Sequence, residues 1–260
     1  KPVSRLPILM PEEIGALRDW SRGPELHELP VSVVEAFRKM AELHGDRVAV
    51  RFGEYQMTYA QLDSLSDKLA SHLNQLGLAG GWHAGLFLAP SAWIGVALLG
   101  VWKAGNSCLA IDPTSPPEWL ESTLAAHDVS VVICDGSSES QIDGFQRRRI
   151  IIDQDWDSLE AEPMEKREIQ ADELAASVPG HVDGEPPMIR ALTHNMLVTA
   201  AIEGARVLNF KCGDSFLVRA TPGGGAFFDE WIIPLLSGGI VHVAGVDFLE
   251  SATAPVTHLR

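Results

Sequence analysis

Residues 83–111 read HAGLFLAPSAWIGVALLGVWKAGNSCLAI, and the parsing of this stretch decides the fold. From residue 84 to 102 no side chain is charged, and such a run approaches the roughly 20 apolar residues that a bilayer-crossing helix needs. Pro90 and Ser91 interrupt it, and Lys103 closes it. Proline has no N–H to give a helix and breaks or kinks one. Two buried elements therefore fit better than one span: a strand over 83–88 and a helix over 92–104. The alternation continues outward with a strand over 107–111, a helix over 117–127, and strands over 129–134 and 149–153. These strands are apolar without polar alternation, as in a sheet covered on both faces. The expected class is α/β, with mostly parallel sheets flanked by helices.

Upstream, a helix over 31–44 places Val34, Phe37, Met40 and Leu43 on one face. A hairpin follows, with strands over 47–52 and 55–58 and a turn at Gly53 and Glu54. Thr58 then caps a helix running to Leu76, whose apolar face is Leu62, Leu65, Leu69, Leu73 and Leu76. Downstream, the acidic and unpatterned residues 154–176 read as a surface connection. Beyond residue 193 come a helix over 194–208, a strand over 215–219, a helix over 226–236 and a strand over 239–244. The chain divides in this reading into a linker over 1–30, a first α/β unit over 31–176, and the start of a second over 177–260.

Composition narrows the function classes. The 260 residues are 46% apolar and 21% charged, with a formal net charge of −15. That balance argues against nucleic acid and against anionic membrane surfaces as partners. The one basic run, Arg147-Arg148-Arg149, precedes three isoleucines and reads as a solvated strand entrance. Cys108, Cys134 and Cys212 are odd in number and widely spaced, which suits free thiols in a reducing cytoplasm. Trp82, Trp93, Trp102 and Trp231 fall in apolar runs and read as core. No signal peptide opens the chain, and Lys1 in place of Met suggests a segment of something longer.

The chemistry turns on residues 177–194, SVPGHVDGEPPMIRALTH. A strand-like or irregular lead-in, a glycine-punctuated turn, an apolar run and a helix from near Thr193 are the outline of a loop that cradles phosphate with free N–H groups. The residues within it oppose that use. Asp183 and Glu185 put two carboxylates where a polyphosphate would lie, and like charges about 4 Å apart repel by roughly 1 kcal/mol in water and about 4 near a protein surface. Pro186 and Pro187 have no N–H. No lysine occurs from 177 to 193, and the one fixed cation is Arg190. His181 and His194 lack a Cys or Ser partner at motif spacing, so a catalytic role is not expected of them. The glycine-rich run at 221–225 has no basic residue and reads as a tight strand-to-helix connection.

Several runs resemble amino-acid adenylation domains of nonribosomal peptide synthetases, part of the adenylate-forming superfamily. Met57-Thr58-Tyr59-Ala60-Gln61-Leu62 is similar to that family's first core motif. Val101-Trp102-Lys103-Ala104-Gly105, continuing to Leu109-Ala110-Ile111-Asp112-Pro113, is close to the second. Leu6-Pro7-Ile8-Leu9 resembles the linker that follows a condensation domain. Leu192-Thr193-His194 matches the residues after the phosphate loop, and Leu235-Leu236-Ser237-Gly238-Gly239 the segment after the substrate-anchoring motif. The resemblance implies the N-terminal core of such an enzyme, with ATP and Mg as its cofactors. It also implies that the adenine, ribose and lysine-bearing parts would lie beyond Arg260.

The departures fall on the site. Where the family has a Ser/Thr/Gly run and Pro-Lys-Gly, this chain has Gly180, His181, Val182, Asp183, Gly184, Glu185, Pro186 and Pro187. Where the family holds a substrate amino group with an Asp, ungapped alignment places Gly224 and Gly225; the alternative register brings Asp229. The expectation is a partial, inactive adenylation-like domain without bound nucleotide or metal, cytoplasmic, acting as a spacer or docking platform. Its partners would be the condensation and carrier domains of the same synthetase, or a second copy. The alternative is half of an active ligase that uses ATP and Mg with residues beyond the chain end. A third option binds nucleotide without catalysis.

Overall fold

The computed structural model describes residues 9–21, 29–142, 144, 147–157, 159, 167–180 and 188–245. Helix α1 (Pro11–Ser21) buries none of its residues. Helix α2 (Val33–His44) starts at Ser32, whose hydroxyl accepts from the Glu35 N–H. Strands β1 (Val48–Phe52) and β2 (Tyr55–Thr58) form the expected antiparallel hairpin. Its turn needs a glycine, because Gly53 has φ of 55°. Thr58 then opens α3 (Tyr59–Gln75): its hydroxyl accepts from Gln61 N while the Gln61 side chain accepts from Thr58 N, a reciprocal capping box.

Strand β3 (His83–Phe87) leads into α4 (Trp93–Lys103), which is buried from Ile94 to Lys103. A helix apolar on all sides must be enclosed, and α4 is, by α2, α3 and the β3 and β4 strands. The approach to α3 depends on Gly100, where a Cβ would lie 2.9 Å from the Leu69 Cβ. Strand β4 (Ser107–Ala110), α5 (Pro117–Ala126), β5 (Val129–Cys134) and β6 (Arg148–Ile151) follow as expected. The remaining elements are β7 (Leu174–Gly180), β8 (Met188–Thr193), α6 (His194–Val207), β9 (Ser215–Val218), α7 (Phe227–Leu236) and β10 (Ile240–Val243).

Two sheets result, in the orders β6-β5-β3-β4-β7-β8 and β2-β1-β10-β9. All pairs are parallel except β7 with β8 and β1 with β2. The sheets do not follow the division expected at residue 177. That boundary falls inside β7, which pairs with β4, while the early β1 and β2 join β10 and β9 near the other end. A two-stranded hairpin is marginal alone, and β10 supplies the third strand that gives it a sheet.

Other expectations are corrected. The surface connection drawn through residue 176 ends earlier, because Ala175 and Ala176 are fully buried in β7. Leu43, expected on the core face of α2, is 63% exposed; the buried set is Val33, Val34, Ala36 and Phe37. Trp82 is 45% exposed, standing just before β3 with its backbone N–H bound to Asn106 Oδ1. Trp102 and Trp231 are in the core. Tyr59 ties α3 to the second sheet, its buried hydroxyl donating to Gly239 O at 2.8 Å. Among the described residues, no helix is long and apolar enough to cross a membrane.

Candidate functional site

The arms of β7 and β8 carry the loop singled out in the sequence. Their register pairs Val178 with Arg190 and Gly180 with Met188, so the backbone of Gly180 is the last point of the ladder. His181, Val182, Asp183, Gly184, Glu185, Pro186 and Pro187 lie outside the described residues. At the far end of β8 the hydroxyl of Thr193 accepts from Met196 N at 3.3 Å. That hydroxyl is committed to capping α6.

His194 follows, its backbone N–H bound to Glu173 O at 3.0 Å. Its side chain is 1% exposed, and its Nδ1 has no hydrogen-bond partner among the described residues. The Trp102 ring meets it edge-on with centroids 6.1 Å apart. Burial lowers its pKa to about 4, so the imidazole is neutral near pH 7 and poorly suited to carrying protons there.

The glycine-rich run at 221–225 leaves β9 and turns against the first sheet. Gly223 has φ of 85°, and a Cβ there would sit 3.1 Å from the Ala110 carbonyl at the end of β4. Only glycine suits both that backbone and that approach. Gly224 N donates to Thr221 O at 2.9 Å, and Phe227 N to Gly224 O at 3.1 Å. These bonds make the run the tight connection expected of it. Gly225 is exposed.

Asp229 and Glu230 sit in the first turn of α7, where the helix dipole favours acids. Glu230 Oε2 accepts from both Arg219 N and Ala220 N at 2.7 Å, so it closes the end of β9. Asp229 is half-buried, and its carboxyl is pushed up by burial and then by the charge of Glu230. Between these parts lies a cleft of about 20 Å³ lined by Pro90, Ile94, Ala220, Pro222 and Phe227 among others. That volume suits about one water molecule.

A larger cavity, about 920 Å³, opens at the start of α2 beside Ser32, Arg38, Lys39 and Arg167. It is lined by none of the candidate site residues named from the sequence. Among the described residues no group of three His, Cys, Asp or Glu side chains is placed to hold a metal ion. The sequence also left the partners of Lys103 unread: its buried ammonium meets Asp63 and Asp67 at 2.6 and 2.8 Å. A lysine closing an apolar run was the available signal.

Comparison with known proteins bears on this geometry. Residues 37–201 match the AMP-binding enzyme family. Bassianolide nonribosomal cyclodepsipeptide synthetase of Beauveria bassiana (strain ARSEF 2860) is 24% identical over 243 residues, covering 92% of this chain and 8% of that protein. Nonribosomal peptide synthetase 4 of Gibberella zeae is 27% identical over 245 residues, covering 93% of this chain and 3% of that protein. The chain thus spans less than a tenth of these curated relatives. The solved N-terminal subdomain of Klebsiella oxytoca NpsA, in complex with 3-hydroxyanthranilyl-AMSN, superposes with a TM-score of 0.77 at 19% identity. That match covers 86% of this chain and 56% of the other. VinN in complex with 3-methylaspartate gives 0.76 at 21% identity, covering 86% of this chain and 65% of the other.

Proposed function

The chain belongs to the AMP-binding enzyme family, and from that footing we propose that it is an adenylation-like part of a nonribosomal peptide synthetase that does not activate an amino acid. In this reading it serves as a spacer or docking platform between neighbouring condensation and carrier domains. One observation carries the proposal. The connection between β7 and β8 contains Asp183, Glu185, Pro186 and Pro187, with no lysine and no hydroxyl from 180 to 187. Catalysis of phosphoryl and adenylyl transfer rests on donors aimed at developing negative charge, and one such donor is worth about 3 to 4 kcal/mol. Here carboxylates and N–H-free prolines replace them. The nearby hydroxyl of Thr193 is committed to its helix, and Asp229 adds another acid. These residues do not fit a polyphosphate.

An ATP–pyrophosphate exchange assay over the common amino acids is expected to stay at background. Exchange clearly above background overturns the proposal. Calorimetric titration with Mg-ATP is expected to give no heat, and saturable heat without exchange would support nucleotide binding as a regulatory function. The small share of the relatives that this chain spans keeps one rival in view, an active ligase completed by residues outside this chain. It requires exchange activity in a longer chain that contains this sequence.

The docking role is supported by α1. Its Ile14, Leu17 and Trp20 are all exposed, Trp20 at 80%, and apolar side chains gathered on a helix with no buried face call for a covering surface. Amide hydrogen exchange over residues 9–21 is expected to slow when the preceding condensation domain is present. Unchanged exchange there would remove the platform role.

A further inference from the structure

Three cysteines are distributed very unequally. Cys108 and Cys134 are buried in β4 and β5. Burial pushes the Cys134 thiol up to about 12 and the Cys108 thiol higher still, which leaves both without reactive thiolate near pH 7. Cys212 is exposed in the turn between α6 and β9. Two other elements converge on its sulfur. Arg47, just ahead of β1, donates from Nη1 to Sγ at 2.9 Å, and His44 in the last turn of α2 brings Nε2 to 3.5 Å.

The turn is held in place. Gly213 N donates to Gly238 O at 2.9 Å, Ile240 N to Asp214 O at 2.8 Å, and Lys211 N to Asp214 Oδ2 at 2.7 Å. Gly238 is there for space: a Cβ would stand 2.9 Å from the Cys212 Sγ. A sulfur, an imidazole and a guanidinium therefore meet at one solvent-facing point. That is the microenvironment which separates reactive cysteines from inert ones.

We infer that Cys212 is a modification site that takes low-molecular-weight disulfides by thiol–disulfide exchange, with Arg47 holding the thiolate and His44 accepting the thiol proton. The sulfur of Cys212 attacks one sulfur of the reagent, a new S–S bond forms, and the reagent's own S–S bond breaks. The departing half leaves as a thiolate and takes up the proton from His44. One protein thiol is oxidised and half of the reagent is reduced, so no other oxidant enters. Arg47 and the neighbouring Lys211 offer cations to an anionic disulfide such as oxidised glutathione, against the carboxylates of Asp46 and Asp214. The other two thiols lie within the six-stranded sheet, so neither resolves the mixed disulfide and the adduct persists until an external thiol removes it.

The test incubates the chain with oxidised glutathione at pH 7 and follows adduct formation by peptide mass mapping. The same chain unfolded in guanidinium is the reference. Native Cys212 is expected to react about tenfold faster than in the unfolded chain, with Cys108 and Cys134 unmodified in the native protein. Arg47→Met is expected to bring the native rate down to the unfolded value, and His44→Gln to lower it several-fold. A native rate no higher than the unfolded one overturns the assignment, and that comparison stands whether or not a variant folds. An unchanged rate in a folded Arg47→Met also overturns it.

Discussion

Lys103→Ala is expected to cost the fold about 3 kcal/mol, the low end of what breaking a buried ion pair costs. The ammonium is the most enclosed charge described in the chain, with no exposed side-chain surface. It donates to Asp63 Oδ1 at 2.6 Å and to the Asp63 carbonyl at 2.8 Å, lies 2.8 Å from Asp67 Oδ1, and stands over the Phe37 ring at 5.7 Å. Its removal leaves two carboxylates facing each other on α3. They are 25% and 37% exposed, so water softens the repulsion, and Arg38 stays 3.8 Å from Asp67. Those two facts place the expected loss at the low end. The effect reads as a lower urea midpoint with an unchanged slope. Lys103→Met keeps the stem's volume and loses only the charge, so it separates the cavity from the ion pair. A Lys103→Met variant as stable as the parent would show that the three charges contribute nothing net.

Lys103 also marks how far the sequence was legible. Local rules read well where the information is local. Thr58 and Gln61 are three residues apart and form the capping box their spacing predicts. The apolar stretch over 129–134 is the strand β5 as expected. What a sequence does not carry locally is which strands share a sheet. Val50 pairs with Val241 across most of the chain, and no pattern near either residue says so. Strand β7 was legible only as a strand-like or irregular lead-in from Ser177, because Ala175, Ala176 and Ser177 lack the branched side chains that signal a strand. They lie at a crowded sheet position where small residues suffice.

The site shows the same division. Glycines at 223 and 224 were readable as a turn. The use of Glu230 to hold Arg219 N and Ala220 N needed the fold, because a carboxylate one turn into a helix reads first as a partner of the helix dipole. The meeting of Cys212, Arg47 and His44 needed it more, since the cysteine is 165 and 168 residues from its neighbours.

Acidification through the histidine range is expected to destabilise the chain by about 3 kcal/mol through His194 alone. Burial lowers the folded-state pKa to about 4, against about 6.5 for an unconstrained histidine. Above pH 6.5 the side chain is neutral in both states and the fold bears no cost. Below it the unfolded chain takes up a proton that the folded chain refuses, so stability falls until the folded pKa is reached near 4. Asp229 works in the opposite sense. Its carboxyl is raised by burial and then by Glu230, so its contribution favours the fold at low pH and is lost as pH rises through the carboxylate range. The two are separated by variants. His194→Phe removes the proton uptake while keeping a ring against Trp102, and it leaves no Nδ1 without a partner. Urea midpoints at pH 7.5 and 4.5 should therefore drop markedly less in His194→Phe than in the parent, while Asp229→Asn should leave the parent's drop in place or deepen it. Equal drops in parent and His194→Phe would mean that the imidazole finds water or a proton acceptor in the folded state, and that its burial between α6 and Trp102 is not what holds it neutral.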